Sequence, residues 1–417
     1  MKVKFITLGC KTNFYESQAL GEMFKANGYT VVEKGMADVY IVNTCAVTSM
    51  GAQKSRQQIH RIKKQNPDAI VAVMGCYAQT EPEKLQNSPD VDVLVGTANR
   101  SKIVELVNNA TKGRQTVLHT DIMKERSYEE LCVTSDQSRI RATVKIEDGC
   151  SNFCAYCIIP YARGPVRSRA IEKIIEEVTL LASNNYAEIV LTGIHIGSYG
   201  RDLKNGIGLI DVIEQVCTVP GIMRVRLGSI EPVVITEDFV KRAQKLKNLC
   251  PQFHLSLQSG CNETLARMKR RYTTEEYMKA VKLLRENLED VSVTTDVMVG
   301  FPGETDEEFQ KSYDFCKAVG FMQMHIFKYS PRKGTVAATM PDQVPEQVKE
   351  DRSKKLIELG EKMKQEFYES FRGRCVEVLA ETRTKDGRFH ATLANYMDVY
   401  IESDEDISGK IVQYTVE

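Results

Sequence analysis

Asp148-Gly149-Cys150-Ser151-Asn152-Phe153-Cys154-Ala155-Tyr156-Cys157 carries three thiols in a C-x3-C-x2-C spacing, with no fourth cysteine nearby. Thiolates are soft ligands suited to zinc, copper(I) or iron–sulfur clusters. A structural zinc site closes with four ligands, and an ordinary [4Fe-4S] cluster also takes four cysteines. Three thiolates on a four-iron cube leave one iron without a protein ligand, and an open position is what a catalytic metal site offers to substrate. Three unrelated buried cysteines are the bland alternative, disfavoured by such tight clustering.

Outward from this loop, apolar runs and helix-like segments alternate. A short strand at 142–146 leads into the loop, and strands follow at 188–193, 223–227, 253–257, 291–299 and 322–328. Helical periodicity fills 170–183, 209–218, 237–249, 274–287 and 306–319. Six such β–α units read as a partial (βα)6 barrel, open on one side. Chemistry in barrels of this kind lies at the carboxyl ends of the strands.

The C-x3-C-x2-C loop resembles the signature of the radical S-adenosylmethionine (SAM) enzymes, whose fold is this partial barrel. The resemblance implies that Cys150, Cys154 and Cys157 hold a [4Fe-4S] cluster whose open iron binds the amino and carboxylate groups of SAM. It implies that Tyr156 lends its backbone carbonyl to adenine. Gly193, in Leu191-Thr192-Gly193, resembles the turn that holds the SAM amino group, and Gly300, in Val299-Gly300-Phe301-Pro302-Gly303, the segment that holds adenine. Ser229, Glu231 and Gln258 follow strands and are candidates for contact with SAM or substrate, and Arg270 for the SAM carboxylate. His195 reads as a structural histidine.

Before the barrel, three β-branched runs each end in a cysteine: 3–9 before Cys10, 38–44 before Cys45 and 70–75 before Cys76. Near-continuous hydrophobicity suits buried parallel strands, and helix-like stretches at 14–27, 49–66 and 100–110 with a run at 91–95 complete a doubly wound unit. Ligands bind such sheets beyond the carboxyl ends of the strands, so three cysteines distant in sequence share one edge and suggest a second three-thiolate site. Leu8-Gly9-Cys10-Lys11-Thr12-Asn13, Asn43-Thr44-Cys45 and Met74-Gly75-Cys76-Tyr77 resemble the N-terminal domain of the methylthiotransferases, and the likeness runs along about the whole chain. It implies an auxiliary [4Fe-4S] cluster on Cys10, Cys45 and Cys76. With Cys150, Cys154 and Cys157, these are the expected catalytic and metal-ligating residues.

Five segments are expected: an N-terminal domain 1–112, a polar linker 113–137 with one hairpin, the barrel 138–340, a linking helix 341–370, and a small all-β module 371–417. The last resembles the TRAM module, an OB-like fold that suits RNA binding. The fold class is thus α/β with an all-β tail. Lysine plus arginine balances aspartate plus glutamate at 56 each, so a nucleic-acid partner must be met by local clusters. Lys54, Arg56 and Arg61 form one, Arg163 and Arg167 beside the thiol loop another, and Arg271, Arg372, Arg383 and Arg388 complete the candidate RNA contacts.

Leu8-Gly9-Cys10-Lys11-Thr12-Asn13-Phe14-Tyr15-Glu16-Ser17 resembles the branch acting on threonylcarbamoyladenosine at position 37 of tRNA, where the isopentenyladenosine branch typically carries Gly-Cys-Gln-Met-Asn. The implied reaction replaces the adenine C2 hydrogen with a methylthio group and consumes two SAM. The isopentenyladenosine and ribosomal-protein aspartate branches are the alternatives, and a non-catalytic metal- and RNA-binding protein is the alternative of a different class. Expected partners are the tRNA anticodon loop and a low-potential electron donor such as flavodoxin or ferredoxin. The twelve cysteines and the start of the chain carry no export pattern, so a reducing cytoplasm is expected. No run of about 18 apolar residues appears, so no membrane contact is expected, and a monomer is expected.

Overall fold

The protein is described from a computed structural model covering residues 1–47, 49–111, 113–134 and 140–417. Its N-terminal sheet is entirely parallel. Strands β1 (Lys2–Thr7), β2 (Thr30–Val31), β3 (Val39–Thr44), β4 (Ile70–Gly75), β5 (Val93–Val95) and β6 (Thr116–Leu118) lie in the order β2-β1-β3-β4-β5-β6. Alternation along the strands feeds two helical layers. Val42, Val71 and Val73 pack against Ile59, Ile62 and Tyr77 on one side. Val39, Ile41 and Met74 meet Tyr15, Leu20 and Phe24 on the other. Each such buried side chain contributes about 1.5–3 kcal/mol. The order reverses between β1 and β3, which places the switch point where Cys10 and Cys45 emerge.

The segment expected as a linker is more closely bound than a linker. Its residues 116–118 are β6, parallel to β5, in place of the expected hairpin. Leu131 and Val133 are buried in the core of the N-terminal sheet. The expected boundaries at 112 and at 137–138 lie outside the described residues.

The barrel follows the expected alternation. Strands β7 (Arg141–Lys145), β10 (Glu188–Thr192) and β11 (Arg224–Leu227) form one parallel sheet, and β12 (Gln252–His254), β13 (Ser292–Val299) and β14 (Gln323–Lys328) another. A short antiparallel pair, β8 (Glu147–Asp148) and β9 (Arg167–Ser168), brackets the thiol loop. A parallel bridge between Ile230 and Leu255 joins β11 to β12, so six strands curve from β7 to β14 with an open side. The regular part of β12 is shorter than expected, and beyond it the chain pairs through isolated bridges, Leu255 with Ile230 and Gln258 with Val297. Helix Glu346–Glu369 packs Leu356, Leu359 and Met363 into the barrel core. It is therefore the sixth barrel helix and not a connecting rod.

Strands β15 (Cys375–Arg383), β16 (Phe389–Leu393), β17 (Asp398–Ile401) and β18 (Ile411–Thr415) form an antiparallel sheet in the order β17-β16-β15-β18. This module docks on the amino ends of the barrel strands. Arg224 donates to the Thr392 carbonyl at 2.8 Å and Arg226 to that of Ala394 at 2.9 Å. The Tyr396 ring lies 4.8 Å from the Arg226 guanidinium, and Ser292 donates to the Asn395 carbonyl at 2.5 Å. The thiol loop is at the opposite end. Among the described residues, no helix is long and apolar enough to cross a membrane.

Candidate active site

Cys10, Cys45 and Cys76 emerge from the carboxyl ends of β1, β3 and β4, as the strand order requires. Gly9 has a φ of +111°, and a Cβ there would sit 3.2 Å from the Cys45 sulfur, so a side chain at this turn would be strained and would crowd that thiol. Asn13 braces this edge. Its Nδ2 donates to the carbonyls of Leu8 at 2.7 Å and Thr44 at 3.1 Å, and its Oδ1 accepts from Arg163 at 2.7 Å. Burial pushes the Cys76 thiol up to about 11, against the neighbouring Arg163 guanidinium.

The second trio lies in a loop pinned at several points. Cys150 N–H bonds the Gly164 carbonyl at 2.9 Å, Ala155 N–H that of Met268 at 2.9 Å, and Cys157 N–H that of Cys154 at 3.0 Å. Gly149 has a φ of +87°, and a Cβ there would fall 2.0 Å from the Pro165 carbonyl oxygen. Arg270 directs one N–H at the Cys154 sulfur, 3.4 Å away, and pairs with Glu231 at 2.8 Å. Burial pushes the Cys150 and Cys157 thiols up to about 12. Thiols with such values stay protonated at neutral pH, so metal loading must displace protons.

The donor chemistry fits two iron–sulfur clusters. Each trio is soft, deficient by one ligand and supplied with an N–H donor from an arginine. Among the described residues, no group of three or more His, Cys, Asp or Glu side chains is arranged to hold a single metal ion. Burial first, and then the neighbouring thiols of each trio, raise the pKa of Cys76 and of Cys157.

The trios meet at one interface. Arg163, directly after the thiol loop in helix Ile159–Arg163, donates its Nε–H to the Cys76 sulfur at 3.2 Å. Ile158 and Ala162 enter the N-terminal core beside Cys76. Thr12, two residues after Cys10, donates to the Gly193 carbonyl at 3.3 Å. Beneath lies a buried ionic network. Glu16 pairs with Arg100, Arg163 and Lys145, and Asp148 pairs with Lys145 at 2.6 Å, Arg100 at 3.2 Å and Arg163 at 3.4 Å. Burial alone would raise both acids, but the surrounding cations hold them below the usual carboxylate range.

Several expectations change here. Arg163 and Arg167, read as RNA contacts, are 0% and 3% exposed and belong to this network, Arg167 reaching Asp148 at 3.6 Å. Arg372, Arg383 and Arg388 lie on the module at the far end of the barrel. There Arg372 pairs with Glu369 at 3.1 Å and Arg388 with Asp386 at 2.7 Å, and Arg383 bonds the Gly387 carbonyl at 3.0 Å. Lys54, Arg56 and Arg61 are exposed on helix Ser49–Gln65, and Arg56 bonds the Tyr77 hydroxyl at 3.1 Å beside Cys76. Arg271 is exposed and reaches the Ser151 carbonyl at 3.4 Å.

Glu231 lies at the mouth with Asn152 at 3.1 Å and His195 at 3.2 Å, so His195 belongs to the site rather than to the core. Burial would raise Glu231, but His195 and Arg270 bring it down to about 2. A Cβ on Gly193 would fall 2.7 Å from Glu147. Gly300 is closed against Lys349, whose Cγ would lie 2.3 Å from an added Cβ. Tyr156 packs its ring against Phe301 at 6.5 Å. Gln258 is half-buried at the strand end and Ser229 is exposed.

Sequence reading missed Asn13, Glu16, Lys145, Asp148 and Asn152. Asn13 and Glu16 fall three and six residues after Cys10 on one helical face, a spacing that could have flagged them.

Comparison with known proteins agrees with this arrangement. Residues 2–96 match the family described as uncharacterized protein family UPF0004, and residues 144–316 the radical SAM superfamily. The threonylcarbamoyladenosine tRNA methylthiotransferase MtaB of Bacillus subtilis is 42% identical over 99% of this chain and 93% of its own. Its namesake from Aquifex aeolicus is 38% identical over the whole of both chains. A tRNA-2-methylthio-N(6)-dimethylallyladenosine synthase of Acetivibrio thermocellus is 35% identical over 98% of this chain and 87% of its own. Among solved structures, the radical SAM methyltransferase TsrM from Kitasatospora setae shares the fold, with a TM-score of 0.59 and 16% identity over 81% of this chain and 77% of that one. On full-length identity, and with a thiol trio inside each matched region, the chain belongs to the radical SAM methylthiotransferase family.

Proposed function

We propose that the protein replaces the C2 hydrogen of N6-threonylcarbamoyladenosine at position 37 of tRNA with a methylthio group, using two [4Fe-4S] clusters and two SAM molecules per turnover. One observation carries this reading. Two separate three-thiol sites face a single interface, and Arg163 reaches from the loop of one to the sulfur of the other. An aromatic C2–H bond resists acid–base chemistry, so a radical must remove the hydrogen and sulfur must be delivered from close by. A cluster on Cys150, Cys154 and Cys157 supplies, when bound, the electron that cleaves SAM. The chain's own part is to hold those thiols in a pinned loop, to place Glu231, His195 and Arg270 at the barrel mouth, and to keep the Cys10, Cys45 and Cys76 edge against it.

RNA is expected to approach the Cys76 side, where Lys54, Arg56 and Arg61 are exposed, because basic side chains meet the phosphate backbone. The base must leave its stack to reach the mouth. The division into an N-terminal cluster unit, a barrel and a TRAM-like tail is part of this proposal, as are a reducing cytoplasm and a flavodoxin- or ferredoxin-like donor. The isopentenyladenosine reading stays in play because enzymes with that activity in their names are nearly as similar.

Nucleoside analysis of tRNA from cells lacking the gene tests the substrate. The methylthiolated threonylcarbamoyladenosine should vanish and return with the intact gene but not with Cys10→Ala. Its persistence in the deletion strain would refute the reading. Anaerobic reconstitution should give about eight irons per chain, and about four after Cys10, Cys45 and Cys76 are replaced.

A further inference from the structure

A polar cluster that neither thiol trio uses lies on the inner faces of β12, β13 and β14. Phe253, Val293, Val297, Met324 and Ile326 pack outward against the helices. The strand pleat therefore turns His254, Asp296 and His325 together into the barrel lumen. Asp296 and His325 are directly opposite in register. His254 Nε2 lies 3.4 Å from Asp296 Oδ2, and its ring centre is 5.9 Å from that of His325. Phe327, on the same face of β14, is 50% exposed. Lys11 is exposed and within electrostatic reach of His325, whose pKa is lowered by burial first and then by His254 and Lys11 against Asp296.

The cluster is linked to the elements that carry both trios. Lys11 directly follows Cys10. The backbone carbonyl of Ser256, two residues after His254, accepts from Arg270 at 3.4 Å, and Arg270 also reaches the Cys154 sulfur at 3.4 Å.

We propose that Lys11, His325 and Asp296 form the subsite that reads the N6 substituent of the target adenine: Lys11 and the His325 N–H receive its carboxylate, and Asp296 accepts from its ureido N–H or hydroxyl. This rests on the threonylcarbamoyladenosine reading above. N6 and the C2 hydrogen share the Watson–Crick edge of adenine, so whatever N6 carries must fit beside the reacting carbon. Threonylcarbamoyl offers one anion together with N–H and hydroxyl donors, which matches two donors and one acceptor. His254 holds Asp296 in place, and Phe327 offers a ring for the base to stack on. An apolar prenyl group would offer none of these three side chains a hydrogen bond, and sites built for hydrogen bonding reject such analogues strongly.

The test uses the reconstituted full-length enzyme and anticodon stem-loops bearing threonylcarbamoyladenosine, its methyl ester or isopentenyladenosine. Wild type should prefer the free acid to the ester by about 10- to 100-fold in kcat/KM, as charge-assisted hydrogen bonds imply. In Lys11→Met and His325→Leu that preference should collapse toward unity, with iron content unchanged as the check on folding. Variants that keep the full preference, or a wild type indifferent between acid and ester, would overturn the subsite alone. A wild type that methylthiolates only the isopentenyl stem-loop would overturn the substrate reading, and the subsite with it.

Discussion

At Glu147 a carboxyl is 0% exposed, with Oε2 accepting the His195 N–H at 2.7 Å and Oε1 without a hydrogen-bond partner among the described residues. Burial foremost pushes its pKa up to about 8. The native state therefore holds a proton that the unfolded chain has released, so its contribution is complete below the ordinary carboxylate range and fades as pH rises toward 8. Glu147→Gln should remove this dependence and be the more stable form at pH 8, by on the order of 1–3 kcal/mol. Thermal melts of the two proteins from pH 5 to 8.5 check it, and parallel curves would refute it. Arg163 poses the opposite case, a buried cation shared by two acids and a thiol. Arg163→Met should cost about 3–5 kcal/mol in urea unfolding of the metal-free protein, because Glu16 and Asp148 lose compensation. The six cysteines were legible because their spacing, or their place after a strand, is itself the signal. Arg163 and Arg167 were misread for a physical reason. A basic run looks the same in sequence whether it faces water or a buried acid, and Glu16, the partner of Arg163, is 147 residues away along the chain.

Elements were read correctly where periodicity was strong and misassigned where charge blurred it. Helix Glu346–Glu369 resembled a solvated connector because Lys349 and Arg352 interrupt its apolar stripe. Both are buried, Arg352 against Glu304 at 2.7 Å. Strand β6 escaped notice because three residues are too few for any pattern. The loop between β8 and the next helix carries the second thiol trio, and its backbone sets a sharp test. Gly149→Ala puts a methyl group on the Pro165 carbonyl at a φ that alanine resists. Iron analysis after reconstitution should then fall to about half, since the Cys10 edge does not pass through this loop. Full iron content would show that the loop tolerates a rearrangement.

For the whole molecule, the order of strands and helices was legible from pattern, but not how distant elements dock. No local rule tells the tail to cap the amino ends of the barrel strands, because the contacts are backbone carbonyls meeting Arg224 and Arg226. That placement carries the tail's basic residues away from the thiols. The seam between the N-terminal sheet and the barrel has a further consequence. Arg100, Arg163, Lys145 and Glu16 are each at most 1% exposed there. Parting the halves would strip these charges of their partners, at several kcal/mol apiece. The protein is thus a vise set at one gap and not a clamshell. Small-angle scattering profiles with and without SAM should superimpose, and on the proposed function any exchange between the two thiol sites is carried by the reactants rather than by a swinging domain.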